Sequence, residues 1–207
     1  MSAADFVPLS PTLTSLRTAA AACTACHLHS LGTQTVFGEG RASADVVIVG
    51  EQPGDQEDVA GRPFVGPAGR LLDRALEAAG LDRDAVYVTN TVKHFKWQPS
   101  PNGKRRIHVK PDTREISACK PWLEAELAVL RPRLVVALGA TAAQALLGKT
   151  FRVTQSRGVV LPLPPSSSIV ATVHPSSILR APGAENRAVE FDKLVADLRV
   201  AAAVLVA

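Results

Sequence analysis

Four short apolar runs rich in β-branched residues constrain the fold of this chain more than any other feature of its sequence. Each run is almost continuously apolar and does not alternate, as expected of strands buried on both faces of a parallel sheet. The runs occupy Val46–Gly50, Val86–Asn90, residues 134–139 and residues 169–173. Helical segments separate them, so the sequence predicts a three-layer α/β/α fold around a central, mainly parallel four-stranded sheet.

Periodicity and turn composition assign the segments between these runs. The predicted helices are Pro67–Ala79, Thr113–Leu130, residues 140–147 and Ala184–Ala203. Asp112 immediately precedes the second helix and is a candidate for its N-cap. The Pro- and Ser-rich patch at residues 162–168 is predicted to be a surface loop. With 207 residues the chain is long enough for one substantial α/β domain, and we expect one domain over residues 1–207.

Composition narrows the location and the partners that we expect. No apolar run approaches the length of a membrane span, and no secretory signal is visible at the start of the sequence. Three cysteines, an odd number, argue against a disulfide framework, so we expect a cytoplasmic protein. The net charge of +4 permits an anionic partner without requiring one. We expect a monomer, because a domain of this size can bury its own core.

Polar side chains follow three of the four predicted strands at their carboxyl ends. Glu51 and Gln52 follow the first strand, Asn90 ends the second, and His174 and Ser176 follow the fourth. Because the carboxyl ends of parallel strands meet at one edge of a sheet, these groups are predicted to converge on a single ligand-binding crevice. The amide of Asn90 carries both a donor and an acceptor, which suits either a strand cap or the edge of a pyrimidine.

A run of three cations and a histidine, KRRIH at residues 104–108, has neither helical nor strand periodicity and is predicted to lie in a loop. Runs of this kind are most often solvated surface. Arginine, however, binds phosphate in a rigid fork, while a neutral imidazole beside it remains a nucleophile or base. We therefore interpret the loop as a segment that brings a nitrogen of His108 to a nucleic-acid backbone.

Two further segments have both a structural and a functional interpretation. Phe64 stands between glycines and prolines at residues 61–67, where it is either a core anchor or a platform on which a base stacks. The acidic run of Asp55, Glu57 and Asp58 is expected to be a solvated face.

The three cysteines have the spacing of a metal site. Cys23 and Cys26 form a two-residue-spaced pair, and Cys119 is the third cysteine of the chain. A tetrahedral site needs a fourth ligand, and His94 is our candidate; two histidines close to the pair are its rivals. Spacing alone leaves zinc and an iron–sulfur cluster equally open.

Jointly these segments resemble the uracil-DNA glycosylase superfamily, especially its iron–sulfur branch, family four. That branch has a GEAPG-like first motif, a GRPFVG segment, a strand that ends in TN and a second motif of HPS or HPA type. The corresponding segments here are residues 50–54, 61–66, 89–90 and 174–177, in the same order along the chain. The resemblance extends over residues 23–180.

Three departures from that branch are informative. Histidine replaces the fourth cysteine at position 94, which implies a [4Fe–4S] cluster held by Cys23, Cys26, His94 and Cys119. Gln52 stands where the branch has alanine, and the KRRIH segment is an addition. With these features the chain resembles the UdgX group, glycosylases that excise uracil and become covalently trapped on DNA.

The resemblance implies roles for individual residues. His174 would stabilise the departing uracil, and His108 would bond to C1′ of the sugar, with Glu51 orienting it or taking its proton. Gln52 aligns with the water-activating carboxylate of the superfamily, but an amide cannot accept a proton. Residues implied to contact the substrate are Gly50, Gln52, Phe64, Asn90, Arg106 and Ser176; for Arg106 the alternative is an anchor for the loop.

The implied partner is uracil-containing DNA, single-stranded and double-stranded, with free uracil as a product. Two other functions remain open at this point. One is an ordinary multiple-turnover glycosylase in which the basic loop only binds phosphate, and the other is a non-catalytic metal-containing module that binds DNA.

Overall fold

The four apolar runs form a parallel sheet in a computed structural model of the protein, which describes residues 1–206; the last residue of the predicted domain, 207, lies outside them. The strands in chain order are β1 (Val46–Gly50), β2 (Val86–Asn90), β3 (Trp97–Pro99), β4 (Arg106–His108), β5 (Leu134–Leu138), β6 (Val160–Leu163) and β7 (Ser167–Thr172). The central sheet has the order β2-β1-β5-β7-β6. Its first four strands are parallel, and β6 is antiparallel to β7.

The predicted helices are present with nearly the expected bounds. The helices in chain order are α1 (Leu13–Ala21), α2 (Asp55–Ala60), α3 (Pro67–Ala79), α4 (Thr113–Leu130), α5 (Gly139–Leu147), α6 (Val153–Ser156), α7 (Pro175–Leu179) and α8 (Ala184–Ala203), with short 3₁₀ helices at Ala3–Phe6, His27–Ser30 and Arg83–Ala85. Asp112 caps α4 as predicted, because its side chain accepts hydrogen bonds from the backbone N–H groups of Arg114 and Glu115. No helix within residues 1–206 combines the length and the apolar character that crossing a membrane requires.

Both faces of the sheet are covered, which explains why the strands are continuously apolar. Val46 and Ile48 of β1 pack toward α3 and α8, whereas Val47 and Val49 pack toward α4 and α5. A third apolar cluster joins α1 to α4 and contains Cys23 and Cys119. The predicted three-layer α/β/α architecture is therefore confirmed.

The surface loop predicted at residues 162–168 is wrong, since most of this patch belongs to strands. Leu163 of β6 pairs with Ser167 of β7, so the connection is only three residues long. Pro162 lies within β6, and proline is tolerated there because an edge strand has a partner on one side only. The sheet consequently has a fifth, antiparallel strand beyond the four that the sequence predicted.

The loop predicted for the KRRIH run is correct for Lys104 and Arg105 but wrong for Arg106–His108, which forms the strand β4. It pairs with β3 in an antiparallel hairpin that places His108 opposite Trp97. The backbone N–H of Val109 donates to the carbonyl of Lys96 at 3.0 Å and closes the base of this hairpin. Three-residue strands are too short to show a period of two, so tertiary contacts had to define them. We call residues 96–109 the basic hairpin.

Candidate active site

Asn90 and Phe64 approach Gly50 where β1 and β2 end side by side, and we call the space between them the pocket. Gly50 is paired with Asn90 in the register of the two strands. A β-carbon built on Gly50 would collide with Oδ1 of Asn90 and would lie 2.8 Å from Cζ of Phe64. The glycine therefore preserves the space between an amide and an aromatic ring. Within residues 1–206 the side-chain amide of Asn90 makes no hydrogen bond, so its donor and its acceptor are both available to a ligand.

A strained backbone fixes the ring of Phe64. This residue has φ of 58°, in the left-handed region, which costs a side-chain-bearing residue about 1–2 kcal/mol. Its carbonyl packs so closely on Gly69 that a β-carbon at position 69 would overlap it. The ring lies 6.3 Å from that of His174, with an interplanar angle of 24°. Strain of this kind is typical of functional sites, where surrounding structure holds one side chain in a required direction.

A buried ion pair binds the backbone carbonyl of Asn90. Nζ of Lys93 donates to the Asn90 carbonyl at 2.7 Å and lies 2.5 Å from Oε2 of Glu126. The hydroxyls of Tyr87 and Thr89 also donate to Glu126. The two charges are almost fully removed from solvent and fully partnered. The sequence analysis missed this pair, although a Lys and a Glu at otherwise apolar positions would have been a signal.

His174 presents a neutral imidazole whose tautomer is set by its neighbour. The backbone N–H of Ser176 donates to Nδ1 of His174 at 3.1 Å, and the Ser176 hydroxyl lies 2.8 Å from the same atom. Nδ1 is therefore the acceptor, which assigns the proton to Nε2. Burial lowers the pKa of His174 to about 4, so the ring is uncharged at neutral pH. The half-buried side chain can thus donate a hydrogen bond from Nε2.

His108 and Glu51 come together at the same edge of the sheet. Nε2 of His108 is 3.3 Å from Oε1 of Glu51, and the Thr141 hydroxyl donates to Oε2 of Glu51. Burial acts to raise the pKa of Glu51, but the hydrogen bonds from His108 and Thr141 outweigh it and hold that pKa below its ordinary value. The side chain of His108 is 49% exposed, so an ionised carboxylate holds an imidazole that remains accessible from solvent.

Arg106 anchors the basic hairpin to the protein. Its Nε donates to Asp55 at 2.6 Å, and its Nη1 donates to the buried Asp58 at 2.5 Å. The guanidinium also lies over the rings of Phe95 and Trp97. Of the two interpretations of Arg106, phosphate contact or loop anchor, these contacts favour the anchor.

The acidic run is not the solvated face that the sequence suggested. Asp58 is fully buried, and Glu57 is 8% exposed. Glu57 accepts a hydrogen bond from the backbone N–H of Gly66 at 2.8 Å, which ties the start of α2 to the segment that carries Phe64. A buried carboxylate needs a hydrogen-bonded or charged partner. The run of cations at residues 104–106 was the sequence signal that a partner for Asp58 was present.

The side chain of Gln52 is turned toward the basic hairpin. Its Nε2 donates to the carbonyls of Lys96 and Val109 at 3.1 and 3.2 Å. Its Oε1 accepts from the backbone N–H of Lys96 at 3.1 Å. The resemblance aligned this position with a water-activating carboxylate that an amide cannot replace, and here the amide contacts backbone at both arms of the hairpin.

Three thiols meet in the cluster between α1 and α4, each with an N–H donor. The backbone N–H of Lys93 lies 3.2 Å from Sγ of Cys119, and the indole N–H of Trp122 lies 3.4 Å from Sγ of Cys23. Cys26 receives a hydrogen bond from a backbone N–H, that of Leu28. Burial, with the other two thiols nearby, raises the pKa of Cys119 to about 12. Such a group of thiols favours a bound cation, which would deprotonate them.

His94 is buried, one residue after the Lys93 N–H that contacts Cys119, and it is in a form that can bind metal. Thr35 donates its hydroxyl proton to the carbonyl of Ala20 at 2.9 Å, so it accepts from Nε2–H of His94, also at 2.9 Å. The lone pair of His94 is thereby left on Nδ1. Burial lowers the pKa of His94 to about 4 and keeps the ring neutral. The rival histidines, His27 and His29, are exposed.

The four side chains are of donor types that occur both in zinc sites and in iron–sulfur clusters. Within residues 1–206 no three His, Cys, Asp or Glu side chains are close enough together to hold one metal ion. Ligands of a [4Fe–4S] cluster bind separate iron atoms and stand further apart than the ligands of one zinc ion. Buried thiols with N–H···S donors are also the surroundings that tune such clusters.

The fold and the site define an α/β protein in which polar and aromatic side chains gather at the carboxyl edge of a parallel sheet. The chain belongs to the uracil-DNA glycosylase superfamily, because the model described as "Uracil DNA glycosylase superfamily" matches residues 37–199.

Individual relatives point to one branch of this superfamily. The chain is 40% identical over 174 residues to the type-4 uracil-DNA glycosylase of Thermotoga maritima, covering 84% of this chain and 83% of that protein. It is 38% identical over 178 residues to the type-4 enzyme of Pyrobaculum aerophilum, covering 83% and 85%. A type-5 uracil-DNA glycosylase of Thermus thermophilus is 33% identical over 161 residues, 68% of each chain. These similarities agree with the family-four resemblance noted from the motifs.

Proposed function

We propose that this protein excises uracil from DNA and that His108 then forms a covalent bond with C1′ of the sugar. The observation that carries the proposal is the Glu51–His108 pair, 3.3 Å apart, at the same strand ends as the pocket of Gly50, Phe64 and Asn90. Membership of the superfamily and the similarity to type-4 enzymes support the first part. The second part rests on the geometry of the basic hairpin.

The pocket between the ends of β1 and β2 binds the uracil base. The target nucleotide must leave the base stack before its glycosidic bond can be reached. The ring of Phe64 then stacks on the base, and the free amide of Asn90 bonds to the donor and acceptor of its edge. Gly50 leaves room for the base between them.

Bond cleavage depends on His174. As the bond from C1′ to N1 breaks, its electron pair leaves with uracil, and the sugar becomes cationic. The neutral His174 donates from Nε2 to O2 of the base, and this hydrogen bond strengthens as negative charge develops. A neutral donor suits this role because it does not trap the uracil anion as tightly as a cation would.

His108 then captures the sugar. The unprotonated nitrogen of its imidazole donates its lone pair to C1′, and the proton on the other nitrogen passes to the carboxylate of Glu51. Gln52 cannot act as a base for water, and its amide is already engaged with the basic hairpin. The product is a neutral N-alkylated imidazole, which is a poor leaving group, so turnover stops.

The three thiols and His94 would hold a [4Fe–4S] cluster. When bound, the cluster supplies cross-links among the α1 region, the segment after β2 and α4. Cys23, Cys26 and Cys119 contribute thiolates, and Thr35 keeps Nδ1 of His94 free for iron.

A denaturing gel tests the proposal directly. The protein is incubated with a single-stranded oligonucleotide that contains one uracil, and the matched control contains cytosine at that position. A heat-stable protein–DNA band with stoichiometric uracil release is the expected result. Uracil release in large excess over enzyme without the band would favour an ordinary glycosylase. Absence of any release at high protein concentration would favour a non-catalytic DNA-binding module.

A further inference from the structure

We propose that Thr141 is a positioning residue for covalent capture, because its hydroxyl fixes one carboxylate oxygen of Glu51 and thereby turns the other toward His108. The inference rests on the role proposed above for His108. It brings a third element into the capture step, the first turn of α5, in addition to the turn after β1 and the basic hairpin.

The two carboxylate oxygens of Glu51 have separate partners. Oε2 accepts a hydrogen bond from the Thr141 hydroxyl, and Oε1 faces Nε2 of His108 at 3.3 Å. A carboxylate is planar, so a partner that holds Oε2 also limits the direction of Oε1. Without such a partner the group turns easily, because the last side-chain torsion of a glutamate has a broad energy profile. The hydroxyl of Thr141 therefore orients the oxygen that the imidazole contacts.

The hydroxyl of Thr141 acts on a distant residue and not on its own helix. A helical threonine often donates to a nearby backbone carbonyl. Thr18 of α1 does so, because its hydroxyl donates to the carbonyl of Thr14 at 3.1 Å. Thr141 instead donates to Glu51, which is 90 positions away along the chain. Thr141 is only 4% exposed, so water has little access to replace this hydrogen bond.

The surroundings of Glu51 keep its carboxylate ionised. Burial acts to raise its pKa, but hydrogen bonds from His108 and Thr141 lower that pKa below its ordinary value, and His174 is the other titratable group that lowers it. The N-cap of α5, Leu138, provides no side-chain cap, so the carboxylate at the first turn meets the positive end of the helix dipole without a competing side chain at the cap.

Ionisation of Glu51 matters because the capture step needs a proton acceptor. The lone pair of one imidazole nitrogen of His108 forms the bond to C1′, and the proton of the other nitrogen passes to Glu51. The sugar cation and the carboxylate anion are both neutralised, so charge balances. Only an ionised and correctly oriented carboxylate can take this proton, and Thr141 favours both conditions.

Two substitutions at position 141 separate the hydroxyl from the shape of the side chain. Thr141→Val keeps the branched shape and removes the hydroxyl, whereas Thr141→Ser keeps the hydroxyl. Thr18→Val is the matched control, because the hydroxyl of Thr18 bonds within its own helix. Single-turnover uracil release and adduct formation are measured on the same uracil-containing oligonucleotide over a range of pH.

We expect Thr141→Val to slow adduct formation about tenfold or more and uracil release by less than about threefold, since small misplacements of reacting groups have large effects on rate. Its adduct formation should also decline at a higher pH on acidification, because loss of a hydrogen bond to the charged form raises the pKa of Glu51. Thr141→Ser should restore most of the rate, and Thr18→Val should retain both rates. Wild-type adduct formation by Thr141→Val at every pH would overturn the inference. Equal losses of release and capture would also overturn it, because they would place Thr141 in bond cleavage.

An NMR titration of the Glu51 carboxyl carbon provides a readout that does not depend on the reaction. The pKa of Glu51 in the free protein should rise in Thr141→Val and stay unchanged in Thr18→Val. A wild-type protein that forms no adduct would contradict the proposed function, while a raised pKa in Thr141→Val would still support the contact. An unchanged pKa of Glu51 in Thr141→Val would refute the role of Thr141 whatever the outcome on DNA.

Discussion

Nε2 of His108 lies 3.3 Å from Oε1 of Glu51, although the strands that position them, β4 and β1, belong to different sheets. Glu51 follows β1 of the central sheet, and His108 ends β4 of the basic hairpin. The contact joins an ionised, largely buried carboxylate to an imidazole that is half exposed. An imidazole held in this way has a fixed orientation and remains accessible from solvent, as the proposed bond to C1′ requires.

Replacing His108 by Ser should separate uracil excision from capture. Excision should survive, within about tenfold, because leaving-group stabilisation by His174 drives bond cleavage. The smaller side chain leaves room for water near C1′, so the variant should release DNA and turn over. Uracil release and the denaturing gel measure the two steps. A stable adduct in His108→Ser would show that another residue is the nucleophile, and a complete loss of excision would show that His108 takes part in cleavage.

The parallel sheet could be predicted from the sequence, because burial on both faces leaves a continuous apolar signal. For β1 and β2 even the bounds agree with the apolar runs. The convergence of Glu51, Asn90 and His174 followed from the rule that parallel strands end at one edge. The hairpin could not be predicted in this way, because its strands are only three residues long. Its position depends on contacts with distant segments of the chain.

The partners of individual side chains were less accessible to sequence analysis. Arg106 and Asp58 are 48 positions apart, and nothing local indicates that one binds the other. The amide of Gln52 indicated that this side chain cannot act as a base. The direction of the side chain, however, depends on where the hairpin lies in the folded protein. Such pairings are tertiary, so only the assembled fold reveals them.

Arg106→Ala should weaken both the fold and the capture step. It leaves Asp58 buried without its cation, and breaking a buried pair costs about 3–5 kcal/mol, less here because Arg106 is partly exposed. Arg105→Ala is the matched control, since Arg105 is an exposed neighbour without a side-chain partner in residues 1–206. Chemical denaturation and adduct yield are the measurements. Equal behaviour of the two variants would contradict an anchoring role for Arg106.

Cys119→Ala should remove the cluster and lower stability. Purified wild-type protein should be brown and contain iron, not zinc, with an iron content near the four atoms of one cluster. The variant should lose its iron and melt earlier, by roughly 2–4 °C for each kcal/mol of folding free energy lost. His29→Ala is the control, because His29 is exposed and outside the proposed ligand set. A colourless wild-type protein loaded with zinc would contradict the cluster assignment.

Gly50→Ala should close the uracil pocket while leaving the protein folded. The added methyl group would collide with Oδ1 of Asn90 and press on the ring of Phe64. We expect uracil excision to fall by about a hundredfold or more, since small misplacements of reacting groups have effects of that size. DNA affinity should change little, because most of it comes from backbone contacts. Single-turnover kinetics alongside a binding titration measure the two quantities, and normal excision would mean that the base binds elsewhere.

His174→Ala should slow excision without weakening DNA binding. The donor on Nε2 acts on charge that appears only as the glycosidic bond breaks, and loss of one such donor costs about a hundredfold or more in rate. Because Ser176 uses Nδ1, His174→Asn is a useful second variant: it keeps a short hydrogen-bonding side chain but cannot place an N–H where Nε2 lies. Both variants should show the same loss in single-turnover uracil release. Adduct formation should fall in parallel, since His108 can capture the sugar only after uracil has left. Rapid adduct formation with slow uracil release would contradict this order of events and assign the initiating step to His108.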